Sequence, residues 1–416
     1  MKIHQRPSTF LTVCLLASLF VVVPALGVET NENDFALDAR FIERMVDENY
    51  AYLERFPGGA MPMTDRLRSE AAAVVDQRSL LRYAERALFL LADHHAITGS
   101  SLSDSWAIVP SYADLWIEYR DGVYTVDAVR DASAAWRHGI RAGDVLTEID
   151  GASTDKAVEN FWSSLGARVP EGGQAFAARV LVAGRRDRSR HLSVRTGRGE
   201  SHAVELPSLY SVSAEPSDHL TSTRTPMGIR IRFKDSLGND STISAFDSAM
   251  ASATAGERTV IDLRDTPSGG NTVVARAILG WFVNAPTPYQ VHNLPREMKQ
   301  TGIGRQWIEE VLPRGEGKHH SGPIVVCVGR WTGSMGEGLA IAFNSLGAQV
   351  VGDPMAGLLG AVEDYELPHS GLVIKLPTER LFAIDGTPRE AFRPLPSAEN
   401  RALVADLCPA PSGSSQ

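Results

Sequence analysis

Cysteine is scarce here, with Cys14, Cys327 and Cys408 the only three in 416 residues. So few exclude a disulfide-built scaffold. Cys14 lies in an N-terminal apolar run. Cys327 in "PIVVCVG" and Cys408 in "DLCPAP" either pair or remain buried thiols, and neither has a local reason to act as a nucleophile. Long basic runs are also missing, and the formal net charge is −9, so no nucleic-acid partner is expected. The densest cationic stretch, "RRDRSRH" from Arg185 to His191, reads as a solvated hairpin tip between two strands. Metal-ligand spacing is absent too: the histidine pairs at 94–95 and 319–320 lack the further ligands that zinc needs. There is neither a Walker motif nor G-x-G-x-x-G, so nucleotide binding is not expected. Neither metal nor cofactor is predicted. No internal repeat occurs, and nothing beyond the first residues resembles a transmembrane helix.

What is present is the composition of a folded protein, 43% hydrophobic and 22% charged, long enough for two or three domains. Residues 1–27 have the shape of a secretory signal peptide. Lys2 and Arg6 precede an apolar run from Phe10 to Val23, with Ala25 and Gly27 at −3 and −1 of a cleavage site. An uncleaved anchor is the runner-up. The chain is therefore expected to be exported, periplasmic or secreted, with no membrane span after cleavage. Residues 28–100 read as a helical region, because apolar residues recur at helical spacing in "DARFIERMVDENYAYLERF" and "SLLRYAERALFLLADHH". Residues 112–206 change to short strands, with helix "TDKAVENFWSSLGA" capped by Thr154 and closing strands "FAARVLVAG" and "RHLSVRTG". Residues 207–226, rich in Ser and Thr, read as a linker. From 227 to 407 a β/α alternation begins, whose apolar strands "VID" and "IVVCV" suit a sheet covered on both faces. Residues 408–416 form a flexible tail.

Ser334 stands where strand "PIVVCVGR" turns into helix "GEGLAIAFNSL". With Glu337 it makes a capping box, S-x-x-E before an apolar run. Gly336 and Gly338 weaken that first turn, however, and let another chain approach the backbone. A serine at a helix N-terminus also has free N–H groups beside it that can hold an oxyanion. A second strand-to-turn segment, "TVIDLRDTPSGGN", could bring Gly269 and Gly270 amides alongside. G-x-S-x-G would need glycine at Thr332, which argues against the α/β-hydrolase alternative.

"IDLRDTPSGGN" is similar to the D-L-R-x-N-x-G-G turn of the C-terminal processing peptidases (tail-specific proteases) and the tricorn core protease, and "GSMGE" matches their nucleophile segment. "HGIRAGDVLTEIDG" resembles a PDZ domain of secreted bacterial proteases. The resemblance covers roughly residues 80 to 400. It implies a mixed α/β fold, with a ClpP/crotonase-like β/α core, an N-terminal helical cap and an inserted PDZ-like domain. It makes Ser334 the nucleophile, with the amides of Met335 and of Gly269 or Gly270 as oxyanion hole. The lysine of the Ser/Lys branch is missing: "GDPMAGLLGAVED" has Leu358 and Leu359 after Gly357. In the tricorn-type branch, "LFLLADHHAITGS" makes His95 the general base and "DGTPREAFRPLP" makes Glu390 the residue that orients it. His94 stands in place of the branch's relay serine, and Thr266 in place of the turn's asparagine. The implied activity is that of an exported serine peptidase. Its polypeptide substrate would be recognised through its C-terminus by the PDZ-like domain, and oligomerisation is left open. The alternatives are an inactive member binding peptide or a small hydrophobic ligand, and a serine hydrolase acting on esters.

Overall fold

A computed structural model describes residues 34–211, 218–396 and 406–409. The expected signal peptide lies outside them. Among the described residues no helix is long and apolar enough to cross a membrane.

The N-terminal part holds helices α1 (Asp34–Asn49), α2 (Asp65–Ala72) and α3 (Gln77–Phe89), then the two-residue strand β1 (Ile97–Thr98). Asp76 caps α3 by accepting from Ser79 N–H, and the helix buries Leu80, Ala84, Ala87 and Leu88. The insert follows with β2 (Leu115–Arg120), β3 (Val123–Val129), α4 (Ala134–Arg137), β4 (Val145–Ile149), β5 (Ala152–Ser153), α5 (Thr154–Ser164), α6 (Gly173–Ala183), β6 (Arg190–Arg195) and β7 (Ser201–Leu206). Its strands form one antiparallel sheet in the order β2-β3-β4-β6-β7, with β5 paired to β4.

The core begins with β8 (Leu220–Thr225), β9 (Gly228–Phe233), α7 (Ser241–Ala251), β10 (Thr259–Asp262) and α8 (Thr272–Leu279). Next come β11 (Thr287–Asn293), α9 (Pro295–Thr301), β12 (Gln306–Val311), β13 (Ile324–Val328), α10 (Met335–Ser345) and β14 (Gln349–Gly352). It ends with β15 (Ala361–Glu366), β16 (Val373–Phe382) and β17 (Leu395–Pro396). The central sheet runs β17-β14-β13-β10-β9-β8, parallel except for the β8–β9 pair. A third sheet, β1-β16-β11-β12 with β15, ties the N-terminal part to the core. The chain is thus mixed α/β, as expected. Ile229, Ile231 and Phe233 pack with residues of α7, α8 and α10 on one face of the central sheet. On the other face, Val260, Val325, Cys327 and Val351 pack under Leu407 and Cys408.

Several local expectations change. "FAARVLVAG" is helix α6, not a strand; its alanines favour a helix, and an apolar run this short carries no decisive period. "RRDRSRH" consequently joins a helix to a strand. It is not wholly solvated, since Arg190 is buried in a two-pronged ion pair with Asp114 at 2.7 and 2.9 Å. The cap of α5 is Ser153, while Thr154 is buried and donates to the Leu146 carbonyl. The linker stretch contains β8, an edge strand of the central sheet. Cys408 is bridged to Cys327, with Cα atoms 5.9 Å apart, so this part of the expected tail is anchored.

Candidate active site

The central sheet places two turns side by side. At the end of β10, Asp262 accepts from Arg264 Nε at 2.9 Å and from Arg230 at 2.7 Å, which fixes the D-L-R turn. Burial alone would raise the pKa of Asp262, but these two guanidiniums hold it below the usual carboxylate value. The Thr266 carbonyl accepts from Gly333 N–H at 2.9 Å. A Cβ on Gly333 would run into the Pro267 carbonyl, so only glycine lets the turns approach. Asn271 then caps α8, accepting from Val273 N–H at 2.9 Å.

Ser334 sits at φ 51°, ψ −114°, a region that costs a non-glycine residue ~1–3 kcal/mol. The expected capping box is present: Ser334 N–H donates to Glu337 at 2.8 Å, and the Ser334 hydroxyl faces the Glu337 N–H but falls short of hydrogen-bond geometry. Glu337 is fully buried and also accepts from Gly357 N–H at 2.8 Å and Leu358 N–H at 3.1 Å. Burial pushes it up to about 7, against the pull of Arg389 and these three amides. The carboxylate therefore binds the Ser334 turn to the 357–360 loop.

Gly269 lies against the start of α10, since a Cβ placed on it would be 2.5 Å from the Met335 Cβ. Gly270 faces open space. Among the described residues, the N–H groups of Met335, Gly269 and Gly270 donate to no other group.

His95 reaches the same loop from the turn after α3. Its Nδ1 is 2.6 Å from the Leu359 carbonyl. A carbonyl can only accept, so Nδ1 carries the proton and the neutral ring keeps its lone pair on Nε2. Burial, then the Arg389 guanidinium, lowers its pKa from 6.5 to about 4. Asp93 fixes the turn by accepting from His95 N–H at 2.8 Å and from the Tyr50 hydroxyl at 2.8 Å. His94 points elsewhere: its Nδ1 lies 2.7 Å from the Ile108 carbonyl and its ring is 4.5 Å from that of Phe176.

Arg389 is the residue that sequence reasoning missed. Buried beside Glu390 in a short 3-10 turn, it donates to the carbonyls of Leu358 at 2.6 Å, Gly360 at 2.8 Å and Ser334 at 3.4 Å. Ser334, the 357–360 loop, His95 and the Arg389–Glu390 turn are thereby brought together. The expected His95–Glu390 hydrogen bond is not among the bonds formed. Glu390 Oε2 is buried without a partner, as is the Tyr52 hydroxyl. Burial first, then Glu390, raises the Tyr52 pKa well above its usual value. The "PRE" of the D-G-x-x-x-E turn contained Arg389, but only packing shows which carbonyls it serves. No group of acidic, histidine or cysteine side chains among the described residues could hold a metal ion.

Residues 230–393 match the model of peptidase family S41. These residues form a peptidase family S41 domain. The S41 match covers the D-L-R turn, the Ser334 turn and Glu390, and places the chain among the serine-type peptidases. The S41 domain and its N-terminal parts together are similar in fold to the photosystem II D1 C-terminal processing protease. That similarity has 16% identity over 87% of this chain and 92% of that one, with a TM-score of 0.53. Mature CPAF is similar at 15% identity over 88% and 92%, with a TM-score of 0.54. At such identities the likeness is one of fold. No curated protein sequence matches the chain.

Proposed function

We propose that the chain is an exported processing peptidase that cleaves polypeptides through Ser334, with His95 as base and Glu390 as its carboxylate partner. The observation that carries this reading is Ser334 itself, strained in backbone, its hydroxyl held by no well-formed cap hydrogen bond, and next to the open amides of Met335 and Gly269. Strain of this kind at a helix start is what a nucleophile needs and a cap does not. His95 Nε2 takes the hydroxyl proton as Ser334 Oγ bonds to the scissile carbonyl carbon. The oxyanion is held by the amides of Met335 and of Gly269 or Gly270. His95 returns the proton to the departing amine, and water then releases the acyl group from Ser334. The Leu359 carbonyl sets the tautomer, and Glu390, with its free Oε2, is the carboxylate available to the imidazolium. The tricorn-type set is favoured over Ser/Lys chemistry because Leu358 and Leu359 occupy the loop where the lysine would stand. Export fits the Cys327–Cys408 bridge, which persists in oxidising compartments.

The test is labelling of the purified chain with a fluorophosphonate probe alongside peptide cleavage. Wild type should react and cleave, whereas Ser334→Ala should do neither while melting at an unchanged temperature. Cleavage retained in Ser334→Ala would overturn the assignment. One observation favours a second reading, a non-catalytic peptide binder: His95 Nδ1 is held by Leu359 and not by Glu390. Failure of wild type to take up the probe would select it.

A further inference from the structure

Among the described residues, the face of the central sheet opposite the helices is only partly covered. Leu407 and Cys408 lie over β10, β13 and β14. Among the described residues this cover reaches Arg264, whose guanidinium donates to the carbonyls of Cys408 at 2.9 Å and Pro409 at 2.8 Å. Beyond it lies a groove of about 540 Å³ over β9 and the edge strand β8. Ile229, Ile231 and Phe233 point into the helix-side core, so alternation sends Arg230, Arg232 and Lys234 to this face. Thr223 and Thr221 pair with the two arginines across the strands. Arg130 enters from the insert, its guanidinium 5.0 Å from the Trp331 ring centre.

The groove has more cations than it can pair internally. Asp262 is shared by Arg230 and Arg264. Asp265 is shared by Arg232 and, at 3.5 Å, Arg130. Lys234 is exposed and makes no ion pair among the described residues. Asp235 turns to His219 at 3.6 Å, and Asp131 lies near Arg264. Four cations, Arg130, Arg230, Arg232 and Lys234, therefore line the groove beside Asp265, with Asp262 shared by Arg230 and Arg264 and Asp114 near Arg130, in a chain whose net charge is −9. Arg230 Nε is also buried without a hydrogen-bond partner.

We propose that this groove docks acidic side chains of an extended polypeptide substrate on its way to Ser334, an inference that rests on the peptidase reading. Arg230, Arg232 and Lys234 repeat every second residue, about 6.6 Å apart along a strand. An extended peptide presents its own alternate side chains at the same interval, whereas a single terminal carboxylate would meet only one or two of the cations. The turn that lines the groove also continues to the reacting centre. Asp265 is four residues from Gly269, a span of at most about 14 Å, and the carbonyl of the intervening Thr266 accepts from Gly333. At edge strand β2 of the insert, strand addition is obstructed: the Ile117 carbonyl is taken by Arg179 Nε at 2.8 Å, and the Arg179 guanidinium lies over Trp116.

The test measures binding of short fluorescent peptides to the full Ser334→Ala chain by anisotropy, and cleavage of the same peptides by wild type. One peptide carries Glu at alternate positions, a second carries Gln there, and each is made with a free and an amidated C-terminus. The Glu peptide should bind about 10-fold tighter than the Gln peptide, whichever terminus it has, and lose that margin in high salt. Lys234→Glu, at an exposed position, and Arg232→Gln should each remove at least about 3-fold of the margin. Equal binding of the two peptides, a margin untouched by both variants, or one that vanishes on amidation would overturn the proposal. Binding that follows the charge, without cleavage by wild type, would uphold the groove and sink the peptidase reading. Cleavage indifferent to charge, with no binding margin, would do the reverse.

Discussion

Replacing Arg389 with methionine should move the acid limb of peptide cleavage toward neutral pH. The base in the proposed reaction is the His95 Nε2 lone pair, which exists only on the neutral ring. Burial and then Arg389 keep that ring neutral down to about 4, against an ordinary 6.5. At 1.36 kcal/mol per pH unit, this corresponds to roughly 3 kcal/mol. At a pH of about 5.5 an ordinary histidine would be only about one-tenth neutral and His95 almost wholly so, a roughly tenfold difference in active enzyme. Arg389→Met removes the electrostatic part and leaves the burial, so the limb should rise and stop short of 6.5. The substitution also strands the Leu358 and Gly360 carbonyls, costing about 2–5 kcal/mol, so rates belong well below the melting temperature. Arg389→Lys keeps the charge and should hold the limb near its wild-type place. The assay is kcat/KM for one peptide across the acid range. A wild-type limb near 6.5, or an Arg389→Met limb that stays put or moves to lower pH, would refute the reasoning.

The same ionisations bear on stability. His95 binds fewer protons folded than unfolded between 6.5 and about 4, so its contribution is complete above 6.5 and lost as pH falls through that window. Glu337, raised to about 7, works in the opposite direction, contributing most below 4.5 and least above 7. Ser334→Gly should abolish cleavage yet raise stability by about 1 kcal/mol in denaturant titration, because glycine relieves the positive φ. A lower midpoint would speak against strain at Ser334. Gly269→Ala should lose activity and roughly 1–3 kcal/mol of stability, since its Cβ meets Met335, whereas Gly270→Ala should keep both. Equal losses at the two glycines would reassign the oxyanion donor. Reducing Cys327–Cys408, which closes a separation of 81 residues, should destabilise the chain by up to about 4.5 kcal/mol on the loop-entropy estimate. A melting temperature indifferent to reductant would contradict this.

The sequence carried much of this fold wherever apolar period and length agreed, as in α3, β10, β13 and α10. It misread α6, where an alanine-rich apolar run fits either a strand or a helix until its neighbours are known. The stretch from β11 to β12 was unassigned, since its burial comes from β16, far along the chain. At the site, motif spacing picked out Ser334, His95 and Glu390. Arg389, Tyr52 and Asp93 were not picked out, because what they touch is fixed by packing: the carbonyls that Arg389 serves lie 29 to 55 residues before it, and Tyr50 lies 43 before Asp93. His94 and His95 read as a pair in sequence, yet their Nδ1 atoms bond to the carbonyls of Ile108 and Leu359, on different parts of the structure.

The Cys327–Cys408 bridge and the Arg264 contacts it supports have a consequence for timing. A chain made from its N-terminus exposes His95 early, the Ser334 turn far later, and Arg389 later still. Cys408 and Pro409, which brace the back of the D-L-R turn through Arg264, come after all of these. The parts of the site are thus delivered in an order that keeps it incomplete during synthesis. Its final brace comes from these late residues, and the bridge that holds Cys408 in place closes only under oxidising conditions.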